Sequence, residues 1–223
     1  RLVEERRGDL RSPGVVHAKE HDAGLVADHL AFDLRERPEK VLGEALDEDR
    51  HEAHDLRVGQ ELVEAAKPLL DPGQFEALQR FSEQHLETIG QYAQGIRLLS
   101  YCPDSIQARI LGAGEQFSVR LMQALLQARQ ARCAVLDAAQ LVRSQGDYLN
   151  AVADIPATQA AFAALDFQDG VAIRIMAGFV SGLPNGEMAL LGRNGSDYSA
   201  AIIAAGVKAS ACEIWTDVDG VYS

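Results

Sequence analysis

The amino-acid sequence predicts an α/β domain built on a largely parallel sheet. Three observations lead there. From Asp71 onward, apolar residues recur at helical spacing over long segments. The short apolar runs CAVLD (133–137), VAIRIMAGFV (171–180), EMALLG (187–192) and CEIWTD (212–217) read as buried strands. Helix-like and strand-like segments also alternate along the chain, as layered α/β domains require.

The elements follow in order. Asp71 and Pro72 suit a helix start, and Phe75, Leu78, Phe81, Leu86, Ile89 and Tyr92 lie at near-helical spacing behind them. A second helix follows Asp104, runs through SIQARIL, breaks near Gly112 and Gly114, and resumes as EQFSVRLMQALLQAR. The four strands come next, with the helix DYSAAIIAAGVKA (197–209) between the last two.

Residues 1–70 are of another kind. They hold 28 charged residues, five of the six histidines and one aromatic, Phe32, whereas residues 71–223 hold 26 charged residues and 12 aromatics. HDAGLVADHL, EDRHEAHDL and ELVEAAKPLL have the composition of polar helices without a sustained apolar stripe. The shift falls near KPLLDPGQ (67–74) and predicts two regions, 1–70 and 71–223.

Composition excludes several classes of function. A net charge of −12 argues against a general nucleic-acid binder, which needs a basic surface. No apolar run reaches the roughly 18 residues that span a bilayer, and RLVEERRGDL lacks the apolar centre of a signal peptide. A cytoplasmic protein without a membrane partner is expected. Cys102, Cys133 and Cys212 are too few and too scattered for a disulfide framework or a zinc site, and read as reduced core thiols. HEAHD resembles a zinc motif but sets His51 and His54 three apart rather than four, so solvated histidines are expected there.

The chemistry concentrates at Gly192-Arg193-Asn194-Gly195-Ser196-Asp197, between an expected strand and an expected helix. A helix start attracts anions, Arg193 suits a carboxylate or phosphate, and the glycines admit a ligand close to the backbone. Asp197 beside such a site implies a cation as well, so the combination suggests a zwitterionic substrate. A plain turn capped by Ser196 or Asp197 has the same spacing. Glu115 follows two glycines at a helix front, where it suits either a ligand ammonium or the helix dipole. EIWTDVDGVYS leaves its strand through Thr216, Asp217, Asp219 and Gly220, at the carboxyl end where α/β sheets place ligands; an Asp-Gly turn is the simpler reading. Trp215 is expected in the core.

LGRNGSDYSAA (191–201), EIWTDVDGVYS (213–223), CPDSIQARILGAGE (102–115) and GDYLNAVADI (146–155) together resemble aspartokinases, members of the amino acid kinase family. The resemblance spans about residues 74–223 and is nearest to the kinase portion of bifunctional aspartokinase/homoserine dehydrogenases. It implies a partial amino acid kinase fold, three-layer α/β/α with a mostly parallel sheet. It also implies transfer of the ATP γ-phosphoryl group to the side-chain carboxylate of L-aspartate, with Mg2+, in lysine, threonine and methionine synthesis. By this resemblance Glu115 matches the acid that binds the substrate amino group, and Arg193 the arginine that binds a substrate carboxylate. Ser196 and Asp197 share the substrate loop, with Asp197 the aspartate that organises the catalytic lysine. Thr216, Asp217 and Tyr222 match nucleotide-binding positions. Family relatives are commonly homo-oligomers.

Residues 1–70 contain no counterpart of the family's Lys-Phe-Gly-Gly-Thr-Ser loop. The chain is therefore expected to be a fragment whose first 70 residues are foreign or read out of frame. A remnant that binds aspartate without transferring phosphate is the alternative function. Another enzyme of the family, such as a uridylate or glutamate kinase, would share DGVY but not Glu115 together with GRNGSDYS.

Overall fold

The computed structural model describes residues 62–167, 170–192 and 195–214, with 195 and 196 described by backbone alone. The long first helix, α1 (Pro72–Leu99), starts where the sequence places it, because Asp71 builds a capping box. Its carboxylate accepts from Gln74 N at 2.9 Å, and Gln74 Oε1 accepts from Asp71 N at 3.2 Å. The helix passes the expected end at Tyr92 and stops at Ser100, which takes a left-handed φ of 50°. Gly90 and Gly95 face open space and do not break it.

Helices α2 (Asp104–Leu111) and α3 (Ala113–Ala128) meet at Gly112, so the expected break is one residue wide and Gly114 belongs to α3. Gly112 is pressed against the sheet: a Cβ there would lie 3.0 Å from Met188 Cε and 3.3 Å from Val180 Cγ2. Residues 62–66 are helical and Lys67–Leu69 form a 3-10 turn. Val63 and Ala66 pack with Leu78 of α1 and Phe117 of α3 in a small apolar cluster.

Strand β1 (Cys133–Leu136) leads through α4 (Ala138–Leu141) to β2 (Ser144–Gln145), β3 (Val152–Ala153) and α5 (Ile155–Ala163). Asp137 and Asp154 cap α4 and α5 by accepting from Ala139 N and Ala157 N. The run 171–180 forms two strands, β4 (Ile173–Met176) and β5 (Val180–Gly182), rather than one. They part at Phe179, whose positive φ of 63° turns the chain. Strand β6 (Met188–Leu190) and helix α6 (Gly195–Gly206) complete the order.

Strands β1 and β4 pair in parallel, with Cys133 opposite Ile173 and Leu136 opposite Met176. The crossover between them makes this the α/β core that the sequence predicts. Strands β2 and β3, and β5 and β6, form short antiparallel pairs, and a lone parallel bridge joins Arg143 to Gly182. Cys212–Ile214 carries no strand, and the rest of the expected strand CEIWTD, with Trp215, lies outside the described residues. The core gathers Val142, Phe162, Ile175, Val180, Leu190, Ile202 and Ile203, each at most 2% exposed. Burial of each such side chain is worth about 1.5–3 kcal/mol. Among the described residues no helix is long and apolar enough to cross a membrane.

The cysteines are unpaired, as expected. Their burial corrects the core reading: Cys102 and Cys133 are half-buried and Cys212 is exposed. Burial raises the first two thiols above their ordinary range, which disfavours the reactive thiolate. His51 and His54 lie outside the described residues.

Candidate active site

The site is organised around β6, which is wholly buried. Its last residue, Leu190, donates its N–H to Tyr148 O at 2.7 Å and accepts from Ala151 N at 2.8 Å. Leu191 donates to Phe179 O at 2.9 Å. The chain thus leaves the sheet held on both sides. It turns at Gly192, whose φ of 79° suits glycine. Asn150 lies where a side chain on Gly192 would stand.

Helix α6 follows at once. Its first turn presents backbone N–H groups without intrahelical partners, and Asp197 is exposed on that turn. The helix is fastened to the sheet by Ser199, a fully buried hydroxyl that accepts from Phe179 N at 2.8 Å. A buried hydroxyl needs such a partner, and this one fixes α6 against the β4–β5 turn.

Glu115 approaches β6 on another helix. It occupies the first turn of α3, half-buried, where the helix dipole favours a carboxylate. Two contacts seat that turn on the sheet: Gly112 packs against Met188 and Val180, and Gln116 Nε2 lies 3.4 Å from Met188 Sδ. His85 of α1 holds the same turn from behind, its Nε2–H donating to Ala113 O at 2.9 Å. The fold therefore seats the start of α3, with Glu115, on β6, while α6, with Asp197 on its first turn, is pinned to the neighbouring β4–β5 turn.

The other expected site residues are not brought into view. Arg193, Thr216, Asp217 and Tyr222 lie outside the described residues, as does the side chain of Ser196. Among the described residues no group of three or more His, Cys, Asp or Glu side chains is arranged to hold a metal ion.

Tyr148, Asn150, Phe179 and Ser199 are structural members of the site that were not singled out from the sequence, although Tyr148 and Asn150 lie in GDYLNAVADI and Ser199 in LGRNGSDYSAA. Nothing local marks their roles, because each acts through a contact with a distant segment. The Tyr148 hydroxyl donates to Glu187, and that hydrogen bond pushes its phenol above the ordinary value. Asn185 Nδ2 donates to both Tyr148 Oη and Glu187 Oε2, at 3.2 and 2.9 Å.

The chain that builds this α/β frame matches the model of a known family. The amino acid kinase family profile matches residues 7–223, and the chain belongs to that family. Within it the chain is similar to aspartokinases. It is 37% identical over 147 residues to the bifunctional aspartokinase/homoserine dehydrogenase of Buchnera aphidicola subsp. Acyrthosiphon pisum, covering 66% of this chain and 18% of that protein. It is 43% identical over 129 residues to the Haemophilus influenzae protein of the same name, covering 57% and 16%. Among solved structures, E. coli aspartokinase III in complex with aspartate and ADP (R-state) superposes with a TM-score of 0.70. The identity is 24%, over 88% of this chain and 41% of that one, a likeness that shows the fold. The chain thus spans less than a fifth of those two relatives.

Proposed function

We propose that this chain is part of the catalytic region of an aspartate kinase. A carboxylate oxygen of L-aspartate attacks the γ-phosphorus of ATP, the bond to ADP breaks, and 4-phospho-L-aspartate forms. The observation that carries this reading is a member of the amino acid kinase family in which Glu115 lies on a helix start seated on β6 and Asp197 on the first turn of the helix that follows β6. The ligands named for the E. coli neighbour, aspartate and ADP, support it.

In this proposal Glu115 binds the substrate ammonium and Arg193 a substrate carboxylate. Ser196 contributes to the same loop. Asp197 stands where the family's aspartate organises the catalytic lysine, whose loop has no counterpart in residues 1–70, and Thr216, Asp217 and Tyr222 hold the nucleotide. In phosphoryl transfer the protein mainly positions reactants and offsets charge, so a set of charged and hydroxyl groups with no covalent nucleophile suits the task. Magnesium belongs to the proposal as the counter-ion of the ATP phosphates, which supply much of its oxygen shell. The place of action is the cytoplasm, in lysine, threonine and methionine synthesis, and the intact protein is a homo-oligomer.

Aspartyl hydroxamate formation with ATP and magnesium tests this. Arg193→Ala and Asp197→Asn are each expected to lower the rate by about 100-fold or more. Activity indifferent to both variants would sink the proposal. A second reading, binding without transfer, is favoured by one observation: residues 1–70 lack the Lys-Phe-Gly-Gly-Thr-Ser loop. It predicts calorimetric binding of L-aspartate, lost in Arg193→Ala, with no hydroxamate formed.

A further inference from the structure

We infer that residues 147–151 form a strap that sets the backbone of Gly192, with Asn150 as a positioning residue for the entry into α6. What that entry binds rests on the functional reading above, whereas the strap itself stands on geometry.

The strap is secured independently at three levels. Its backbone brackets Leu190, through Leu190 N to Tyr148 O and Ala151 N to Leu190 O. Ala151 is buried with Leu183 and Ala189, and Tyr148 packs beside them. At the far end the Tyr148 hydroxyl meets Glu187, Asn185 donates to both, and Asn185 Oδ1 accepts from Glu187 N at 3.0 Å. The β5–β6 turn is thereby closed onto the strap.

With its backbone so fixed, the strap presents one side chain to Gly192. Asn150 is exposed to solvent, yet its Oδ1 fills the position a Cβ on Gly192 would take, and its Cγ lies 3.4 Å from that position. Gly192 holds a left-handed φ of 79° and immediately precedes Arg193. A glycine in that conformation has other basins open to it, and a polar group standing on its bare side disfavours some of them. Asn150 therefore acts through Gly192 rather than by touching the reactants.

The test uses the full chain as wild type, Asn150→Ala, Gly192→Ala and the double variant. Hydrogen exchange is measured over residues 190–198, together with L-aspartate binding by calorimetry and thermal unfolding. Because the strap has other anchors, Asn150→Ala should leave the midpoint within about 2 °C of wild type. It should accelerate exchange over 190–198 and weaken L-aspartate binding, each by about tenfold. The double variant should be no worse than Gly192→Ala alone, since the two changes disturb one contact. Wild-type exchange in Asn150→Ala, or additive effects on exchange in the double variant, would overturn the strap. A wild-type chain that binds no L-aspartate would overturn the functional reading, leaving exchange to decide the strap separately.

Discussion

Two glycines of the β5–β6 region answer to different constraints. At Gly182 the limit is space: its N–H donates to Val142 O at 2.8 Å, and a Cβ there would overlap the carbonyl of Ala139. That obstacle is backbone within α4, so relief requires moving a helix. Gly182→Ala is expected to lower the unfolding free energy by about 3 kcal/mol or more, measured by urea denaturation. A loss under about 1 kcal/mol would show that α4 yields freely. At Gly192 the limits are its left-handed φ and the amide of Asn150, a side chain that can swing away. The glycines of GRNGSD were legible in the sequence because they stand among groups of recognisable chemistry. Gly182 was not, because nothing local marks a glycine whose obstacle is a carbonyl in an earlier helix.

The elements are joined by a few specific contacts, and one of them titrates. His85 stacks on Phe81, with ring centroids 5.3 Å apart, and its bond to Ala113 O ties α1 to the start of α3. Burial depresses its pKa, while the hydrogen bond to Ala113 O opposes that shift without overcoming it. The folded protein then binds fewer protons than the unfolded chain over the window below the ordinary imidazole value. The contribution of neutral His85 is full above about pH 6.5 and is lost as pH falls toward the folded value. Between about pH 7.5 and 5.5, the urea midpoint of wild type should fall more steeply than that of His85→Gln, which keeps a donor but cannot titrate. Parallel slopes would remove His85 from the account. Half of the helices and strands could be read from the sequence: α1, α2, α3, β1, β6 and α6 lie near where periodicity and turn residues put them, whereas α4, β2 and β3 are too short to show a period. Helix α5 escaped because IPATQAAFA is apolar around most of its surface and shows no stripe. The division of β4 from β5 escaped because VAIRIMAGFV is apolar throughout, and only the turn at Phe179 breaks it.

On the scale of the whole molecule, the change of composition near residue 70 does not mark the edge of packing. Val63 and Ala66 are each only 4% exposed, buried against α1 and α3, so the apolar positions of ELVEAAKPLL contribute to the folded unit. Val63→Ala in the full chain should lower the unfolding free energy by about 1–2 kcal/mol, since a buried branched side chain would leave a void beside Phe117. An unchanged denaturation curve would place this segment outside the folded unit. By itself, the sequence determined the α/β class, the capped helices, the aspartokinase resemblance and the candidate loop, because each is written in local spacing or in a contiguous motif. Only the tertiary structure decided that the helix start carrying Glu115 is seated on β6, that the helix carrying Asp197 is pinned to the β4–β5 turn, and that Asn150 stands over Gly192. The physical reason is that these arrangements depend on close packing between segments far apart in the chain. Hydrogen bonds and buried volume fix that packing, and no local pattern records it.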